Sequence, residues 1–99
     1  MVQKIDVHPE ARAEITGSLQ YYEDKDPSVA EDFDVTIDAA VLLIAAKPDT
    51  WPTYLHGTHR YLLSRFPYSV IYREHNDAIQ IIALAHHRRK PGYWVKRVD

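Results

Sequence analysis

The chain has 99 residues, 45% of them hydrophobic and 26% charged, which is enough for one domain (residues 1–99) with one core and excludes general disorder. No apolar run reaches the ~18 residues that a membrane span needs, and "MVQKIDV" lacks the apolar core of a signal peptide. Because the sequence has no cysteine, it excludes disulfides and thiolate chemistry, and we expect a cytoplasmic protein.

The charge is divided unevenly along the chain. Residues 1–49 hold four basic and eleven acidic side chains, a net charge of −7, whereas residues 50–99 hold eight basic and three acidic ones, a net charge of +5. One interpretation is a basic surface for an anionic or acidic partner. The other is a domain with two faces of opposite charge that neutralise each other.

The first predicted element is a short strand, in which the apolar residues Val2, Ile5 and Val7 alternate weakly with polar residues. The sequence "HPEA" ends this strand and begins a helix, because Pro9 suits the first helical position and the glutamate after it suits the positive helix N-terminus. We predict that "YYEDKDP" breaks this helix. Gly17 costs about 1 kcal/mol in a helix relative to alanine, so it predicts close packing against a neighbour.

A second predicted helix begins at Pro27, with Asp26 as its cap, and ends at Lys47 and Pro48. Its apolar positions follow the spacing of three and four that is typical of a buried helix face: Ala30, Phe33, Ile37, Ala40, Val41 and Ile44. The two helices are therefore predicted to form an antiparallel hairpin.

Three strands are predicted after a loop that is rich in proline: residues 60–65, 68–73 and 78–85. The breaks between them are short enough for hairpins. Simple alternation puts Ile79, Ile81 and Ala83 on one face of the last strand and Ile82 and Leu84 on the other, so this strand is predicted to be central. The order predicts an α+β fold in which helices pack on an antiparallel sheet, with a three-stranded meander at the end.

The stretch "AHHRRKPGYW" follows the last strand and concentrates charge and aromatic surface. Arginine can contact a carboxylate or phosphate through two donors, and histidine can transfer protons near neutral pH. A solvated basic strand end is the alternative. Pro91 is predicted to begin a short C-terminal helix, and Trp94 is predicted to pack on the sheet.

If sequential strands are neighbours, the hairpins bring Arg65, Tyr68, His86 and His87 to one end of the sheet. His56 and His59 are expected to be solvated loop residues. Their spacing gives no third aligned ligand, so no metal site is predicted.

Beside the order of the elements, three stretches are distinctive: "HPEA", "RFPYSVIYR" and "AHHRRKPGYWVKR". Together these features resemble the RelE/ParE family of toxins from bacterial type II toxin–antitoxin (plasmid stabilisation) systems, and the resemblance covers almost the whole chain. The resemblance implies a β-α-α-β-β-β fold and one of two activities. RelE-like members are ribosome-dependent mRNA endonucleases (mRNA interferases) without metal or cofactor, and ParE-like members poison DNA gyrase without cutting. Ser69 stands where the nucleases usually carry an arginine, and this favours the ParE-like, non-enzymatic activity.

The resemblance also implies sites and partners. His87, Arg65 and Tyr93 would be catalytic if the chain is a nuclease. The residues expected to contact the target are His86, Arg88, Arg89, Arg60 and Tyr68. The expected partners are a cognate antitoxin and either gyrase or the translating ribosome with its mRNA, with no membrane and no operator DNA bound without the antitoxin. A non-toxic binding domain is a third possibility.

Overall fold

The computed structural model describes residues 3–99 and confirms the α+β architecture. Its elements are β1 (Lys4–Val7), α1 (Pro9–Lys25), α2 (Pro27–Ala46), β2 (His59–Leu62), β3 (Tyr68–His75) and β4 (Ala78–His86), with 3₁₀ turns at Pro48–Thr50, Leu55–Gly57 and Val95–Val98. Val2 lies outside the described residues. Within those residues, neither helix combines the length and the apolar composition that a membrane crossing requires.

Side-chain caps fix the ends of the helical hairpin. Nδ1 of His8 accepts a hydrogen bond from the backbone N–H of Glu10 at 3.1 Å and begins α1. The predicted break at "YYEDKDP" is placed too early, because α1 continues to Lys25 and only Asp26 separates it from α2. The Asp26 carboxylate accepts the backbone N–H of Ser28 at 3.0 Å, which caps α2. The predicted close packing at Gly17 is wrong, since a Cβ there would meet no atom within 4 Å.

The sheet has four strands in the order β1-β4-β3-β2. The meander of β2, β3 and β4 is antiparallel and β4 lies inside the sheet, as predicted. The first strand departs from the expected antiparallel sheet, because β1 pairs parallel with β4, from Lys4 beside Ala78 to Val7 beside Ile81. A parallel pair needs a long crossover, and the helical hairpin supplies it.

A β-bulge in β4 overturns the predicted assignment of its two faces. Ile71 pairs with Ala83 and Tyr72 pairs with Ile81, so Ile82 is an extra residue without a partner. Beyond the bulge the alternation is shifted by one position. Leu84 therefore packs with Ile81 on the helix side, while Ile82 and Ala83 lie on the opposite face.

The core occupies both faces of the sheet. The larger cluster lies between the helices and the inner face and includes the aromatic rings of Phe33, Phe66 and Tyr72. The smaller cluster lies on the outer face, where Trp94 covers Ile71, Ile82 and Ala83. Trp94 is 1% exposed, which confirms its predicted packing role. Burial of a large apolar side chain stabilises a fold by roughly 1.5–3 kcal/mol, so Trp94 holds the C-terminal segment on the sheet.

Both connections within the antiparallel meander use left-handed backbone. Asn76 and Asp77 have φ values of 53° and 60° and join β3 to β4 in a two-residue turn of the type I′ kind. The predicted four-residue break is therefore shorter, and β3 extends to His75. Arg65, in the connection from β2 to β3, has a φ of 71°.

Candidate functional site

A recess lies on the outer face of the sheet, opposite the helices, and is called the outer pocket here. It has a volume of about 390 Å³. Leu62, Ile71, Ala85 and Trp94 form its apolar part. Its polar and aromatic lining consists of Tyr54, Arg60, Ser69, His86, His87, Arg89, Lys90 and Tyr93, with Pro91 beside them. Among the residues that the structure describes, no carboxylate lines this pocket.

The pairing of the strands places the residues at the centre of the pocket side by side. Ser69 on β3 pairs with Leu62 on β2 and with Ala85 on β4, so these three residues form one row across the sheet. Ser69 is only 3% exposed, and its Oγ lies 3.1 Å from Nε2 of His87. The backbone N–H of His87 also donates to the carbonyl of Pro67 at 2.9 Å, which fixes the histidine just beyond the end of β4.

Two arginines of the pocket rest on tyrosine rings. The Arg60 guanidinium carbon lies 4.4 Å from the ring centre of Tyr54, and that of Arg89 lies 3.8 Å from the ring centre of Tyr93. Cation–π contacts of this kind contribute roughly 0.5–1 kcal/mol at exposed sites. They hold both cations at the pocket and occupy one face of each ring.

Glu14 on α1 connects the helix to the C-terminal segment. Its carboxylate accepts hydrogen bonds from the Tyr93 hydroxyl and from two guanidinium nitrogens of Arg97, the latter at 2.8 and 3.1 Å. It also accepts the backbone N–H of Leu84 at 3.1 Å, and Arg97 donates to the carbonyl of Ile82 at 3.1 Å. The pairing of β1 with β4 ends at Ile81, so the Ile82 carbonyl and the Leu84 N–H have no strand beside them on that edge. Arg97 and Glu14 supply the hydrogen bonds that a neighbouring strand would otherwise make to these two groups.

This network also determines the state of Tyr93. Burial and the hydrogen bond to Glu14 raise the pKa of the Tyr93 phenol well above its usual range. The hydroxyl therefore stays protonated near neutral pH and donates to Glu14. Tyr93 lines the pocket, and its hydroxyl is engaged in the contact with α1.

The outer pocket gathers five of the residues that the sequence selected: Arg60, His86, His87, Arg89 and Tyr93. The remaining three lie elsewhere. Arg65 is at the same end of the sheet but donates to the Asp32 carboxylate of α2 at 3.2 Å. Tyr68 is 8% exposed and faces the inner core, with its ring 5.0 Å from that of His86. Arg88 is exposed, and its backbone N–H donates to Nδ1 of His86.

The two loop histidines have different environments. The expectation that His59 is a solvated loop residue is wrong, because it begins β2, stacks on the Tyr72 ring at 5.2 Å and contacts the carbonyl of Trp51 at 2.8 Å. His56 is exposed and has a left-handed φ of 56°. Within residues 3–99, no three histidine or carboxylate side chains are grouped as a metal site would require.

Sequence reasoning did not select Glu14, Tyr54 or Lys90. Glu14 did carry a signal, because it lies three positions after Ala11 and therefore on the buried side of α1, where an acidic residue needs a partner. Tyr54 carried none, since only the folded connection between α2 and β2 brings it beside Arg60.

Comparison with known proteins assigns the family. Residues 5–91 match the family model described as "ParE toxin of type II toxin-antitoxin system, parDE". The chain belongs to the ParE toxin family. This membership confirms the predicted resemblance and makes the chain a toxin of the ParDE class of type II systems. The family match ends at residue 91. It therefore does not include Tyr93 and Trp94, which line the outer pocket, or Arg97, which binds Glu14.

Individual relatives agree with the family match. The chain is 29% identical to Toxin ParE2 of Mycobacterium tuberculosis over 94 residues in each of two strains, CDC 1551 / Oshkosh and ATCC 25618 / H37Rv, which is 93% of this chain and 89% of the relative. It also resembles a chain of the solved "Chromosomal ParDE TA system from P. aeruginosa", with a TM-score of 0.75 and 19% identity over 86% of this chain and 96% of that one. The structural likeness shows a shared fold.

Proposed function

We propose that this ParE-family chain arrests growth by inhibiting DNA gyrase and that a cognate antitoxin neutralises it. The observation that carries the proposal is the family match over residues 5–91. Toxin ParE2 of Mycobacterium tuberculosis, which this chain matches over 89% of that protein's length, is named as a ParE toxin and supports the same assignment. Gyrase and the ribosome both work in the cytoplasm, so we propose a cytoplasmic location. Binding of operator DNA is assigned to the antitoxin.

The outer pocket and the residues beside it are proposed as the surface that contacts the target. Arg60, Arg89, His86 and His87 line the pocket, and Arg88 is exposed next to it. Tyr68 acts through its contact with His86, because it is itself buried. Since no carboxylate of the described chain lines the pocket, its positive charge is available to an acidic surface of a partner.

The geometry supports gyrase inhibition better than RNA cleavage. Metal-free cleavage of a phosphodiester needs a base, an acid and a cation that stabilises the developing charge. Of the three residues suggested for this chemistry, Arg65 pairs with Asp32 and the Tyr93 hydroxyl binds Glu14. His87 alone faces the pocket with a reactive nitrogen, and that nitrogen contacts the hydroxyl of Ser69.

One observation keeps a ribosome-dependent mRNA endonuclease as the second candidate. His87, Arg60 and Arg89 line the same recess, which is a minimal set for proton transfer and charge stabilisation. The endonuclease would require Tyr93 or a ribosomal group as its acid. A supercoiling assay and a translation assay together separate the two activities.

The test adds purified chain to DNA gyrase and relaxed plasmid with ATP, and follows supercoiling on an agarose gel. We expect supercoiling to decline with increasing toxin, and the Arg60→Ala, Arg89→Ala double variant to be weaker. Arg12→Ala is the matched control, because Arg12 is exposed on α1 and away from the pocket. Full supercoiling at a large excess of toxin, together with cuts within codons in a translation extract that His87→Ala abolishes, would refute gyrase inhibition in favour of the endonuclease.

A further inference from the structure

Helix α2 carries an uncharged surface on the side that faces away from the core. Half of the large apolar side chains that are exposed in residues 3–99 lie on this helix: Val35, Leu42 and Leu43, with exposed fractions of 62%, 59% and 50%. Ala39 and Ala46 are exposed beside them. Residues 39–46 contain no charged side chain, although the outer face of a surface helix usually carries charged and polar residues.

The neighbouring helix has the outer face that is typical of a solvated helix. Most exposed positions of α1 are polar, and its exposed aromatic residue, Tyr21, has the Nζ of Lys25 at 5.5 Å from its ring centre. Single exposed apolar residues are common in monomers, whereas a continuous apolar surface marks a contact with another molecule. The two helices of the hairpin therefore differ, and α2 is the one whose outer face suits a partner.

The exposed apolar residues of α2 follow the spacing of a helix–helix contact. Four positions, called the α2 stripe here, are separated by four, three and four residues: Val35, Ala39, Leu42 and Ala46. This is the spacing of the a and d positions that line the seam between two packed helices. The stripe ends at Asp32, whose carboxylate pairs with the exposed Arg65. Leu43 lies beside the stripe and widens its apolar surface.

The α2 stripe is complementary to itself when two copies run antiparallel. Separations of four, three and four read the same in both directions, so all four positions of one copy meet those of the other. Val35 then lies beside the partner's Ala46, and Leu42 lies beside the partner's Ala39. Each layer combines one large and one small side chain, which allows the helices to approach closely without leaving voids.

The charges of α2 favour the same direction. Its exposed carboxylates all precede Ala39: Glu31, Asp32, Asp34 and Asp38. Lys47 follows the last turn. A parallel pair would bring the two acidic halves together, and like charges repel each other. An antiparallel pair places each acidic half beside the uncharged half of the other copy and towards its Lys47.

We infer that the α2 stripe binds a second copy of this chain and forms a symmetric antiparallel dimer. Such a dimer uses the same patch on both copies. The contact covers about three helical turns on each copy, which is smaller than a standard interface of roughly 1,200–2,000 Å². We therefore expect a weak dimer with a dissociation constant of about 10–100 µM. The outer pocket lies on the opposite side of the sheet, so both pockets of the dimer stay accessible.

Sedimentation equilibrium of the purified chain, from about 5 to 300 µM, measures this association. We expect the weight-average mass to rise from 11.5 kDa towards twice that value. Leu42→Glu should raise the dissociation constant at least about tenfold, because it puts an acidic group from each copy into the seam. Tyr21→Glu is the matched control, since Tyr21 is 56% exposed on α1, and it should change the constant less than about twofold. Circular dichroism confirms that each variant is folded.

Introduced cysteines test the direction of the helices, because the chain has no cysteine of its own. In the antiparallel dimer the two Val35 positions are about 16 Å apart along the helix axis, and each lies beside the partner's Ala46. A disulfide needs Cα atoms about 4.4–6.8 Å apart. Under mild oxidation we expect a mixture of Val35→Cys and Ala46→Cys chains to form a linked dimer, and neither variant to do so alone.

Four results overturn the inference. A mass that stays at 11.5 kDa at the highest concentration refutes the dimer. A dimer that Leu42→Glu leaves unchanged lies on another surface. Linkage of Val35→Cys chains to each other, without the mixed product, refutes the antiparallel arrangement. If the chain stays monomeric and Leu42→Glu prevents binding of the protein encoded by the neighbouring reading frame, the stripe belongs to that protein and the second copy is refuted.

Discussion

Substitution of Glu14 by glutamine is the sharpest test of how the C-terminal segment is held. The Glu14 carboxylate is 17% exposed and the Arg97 side chain is 11% exposed, and they approach to 2.8 Å. The Glu14→Gln variant keeps the size of the side chain and an acceptor oxygen for the Leu84 N–H. It removes the negative charge that Arg97 faces and leaves that guanidinium largely buried beside a neutral amide.

The expected cost follows from burial and from the bonds that remain. Loss of one partner of a fully buried ion pair costs about 3–5 kcal/mol, because an uncompensated charge stays in a region of low polarity. Glu14 and Arg97 keep some contact with solvent, and the amide oxygen of glutamine can still accept the hydrogen bond from the Leu84 N–H. We therefore expect the free energy of unfolding to fall by about 2–3 kcal/mol, which lowers the melting temperature of a chain of this length by about 10–20 °C.

Urea unfolding followed by circular dichroism measures this loss, and Glu10→Gln is its matched control. Glu10 lies on the same helix and 3.5 Å from the same arginine, but its side chain is 67% exposed. Exposed pairs of this kind contribute about 0–1 kcal/mol, so we expect the control to change stability by less than about 0.5 kcal/mol. If Glu14→Gln costs no more than Glu10→Gln, the pair does not hold the C-terminal segment and our reasoning about the edge of β4 is refuted.

Three further predictions concern pH, a turn and an exposed pair. Burial raises the pKa of Tyr72 to about 12 from 10.0, so the folded state keeps this proton where the unfolded chain loses it. The stabilisation that this proton gives is complete below pH 10 and is lost as the pH rises towards 12. In urea titrations between these pH values, Tyr72→Phe should reduce the decline in unfolding free energy by about 1.4 kcal/mol per pH unit. An unchanged slope would contradict this prediction. Asp77→Gly should raise the unfolding free energy by about 0.5–1 kcal/mol by relieving its positive φ, as measured by urea unfolding, and a loss of stability contradicts the type I′ turn. Arg65→Ala should lower the free energy of unfolding by less than about 0.5 kcal/mol, because the pair with Asp32 is exposed. The variant should still arrest growth, and loss of toxicity would mean that Arg65 belongs to the functional site.

Local sequence signals were sufficient for most of the architecture. Asp26 and Pro27 mark the beginning of α2, and the spacing of Phe33, Ile37 and Ile44 predicts the face that packs on the sheet. These signals act over a few residues, so they can be recognised without knowledge of the fold. The parallel pairing of β1 with β4 has no such signal, because it depends on how the helical hairpin returns the chain across the sheet.

The candidate site was predictable only in part, for the same reason. The stretch "AHHRRKPGYW" attracted attention by its composition, and eight of its ten residues line the outer pocket with Arg60: Ala85, His86, His87, Arg89, Lys90, Pro91, Tyr93 and Trp94. Arg65 was grouped with them because it lies at the same end of the sheet. A coarse strand order cannot tell the two faces of that end apart, and the contact with Asp32 on α2 is a long-range contact.

The bulge at Ile82 decides which histidine contacts Ser69 in the outer pocket. Ile79 and Ile81 face the helices, so strict alternation would have turned His87 towards the helices and His86 towards the outer face. The extra residue shifts the alternation, and His86 packs against the buried Tyr68 while His87 contacts Ser69 in the outer pocket. Leu84 changes face by the same shift, and its backbone N–H binds Glu14. One inserted residue in β4 thus accounts for both the chemistry of the pocket and the support of its C-terminal wall.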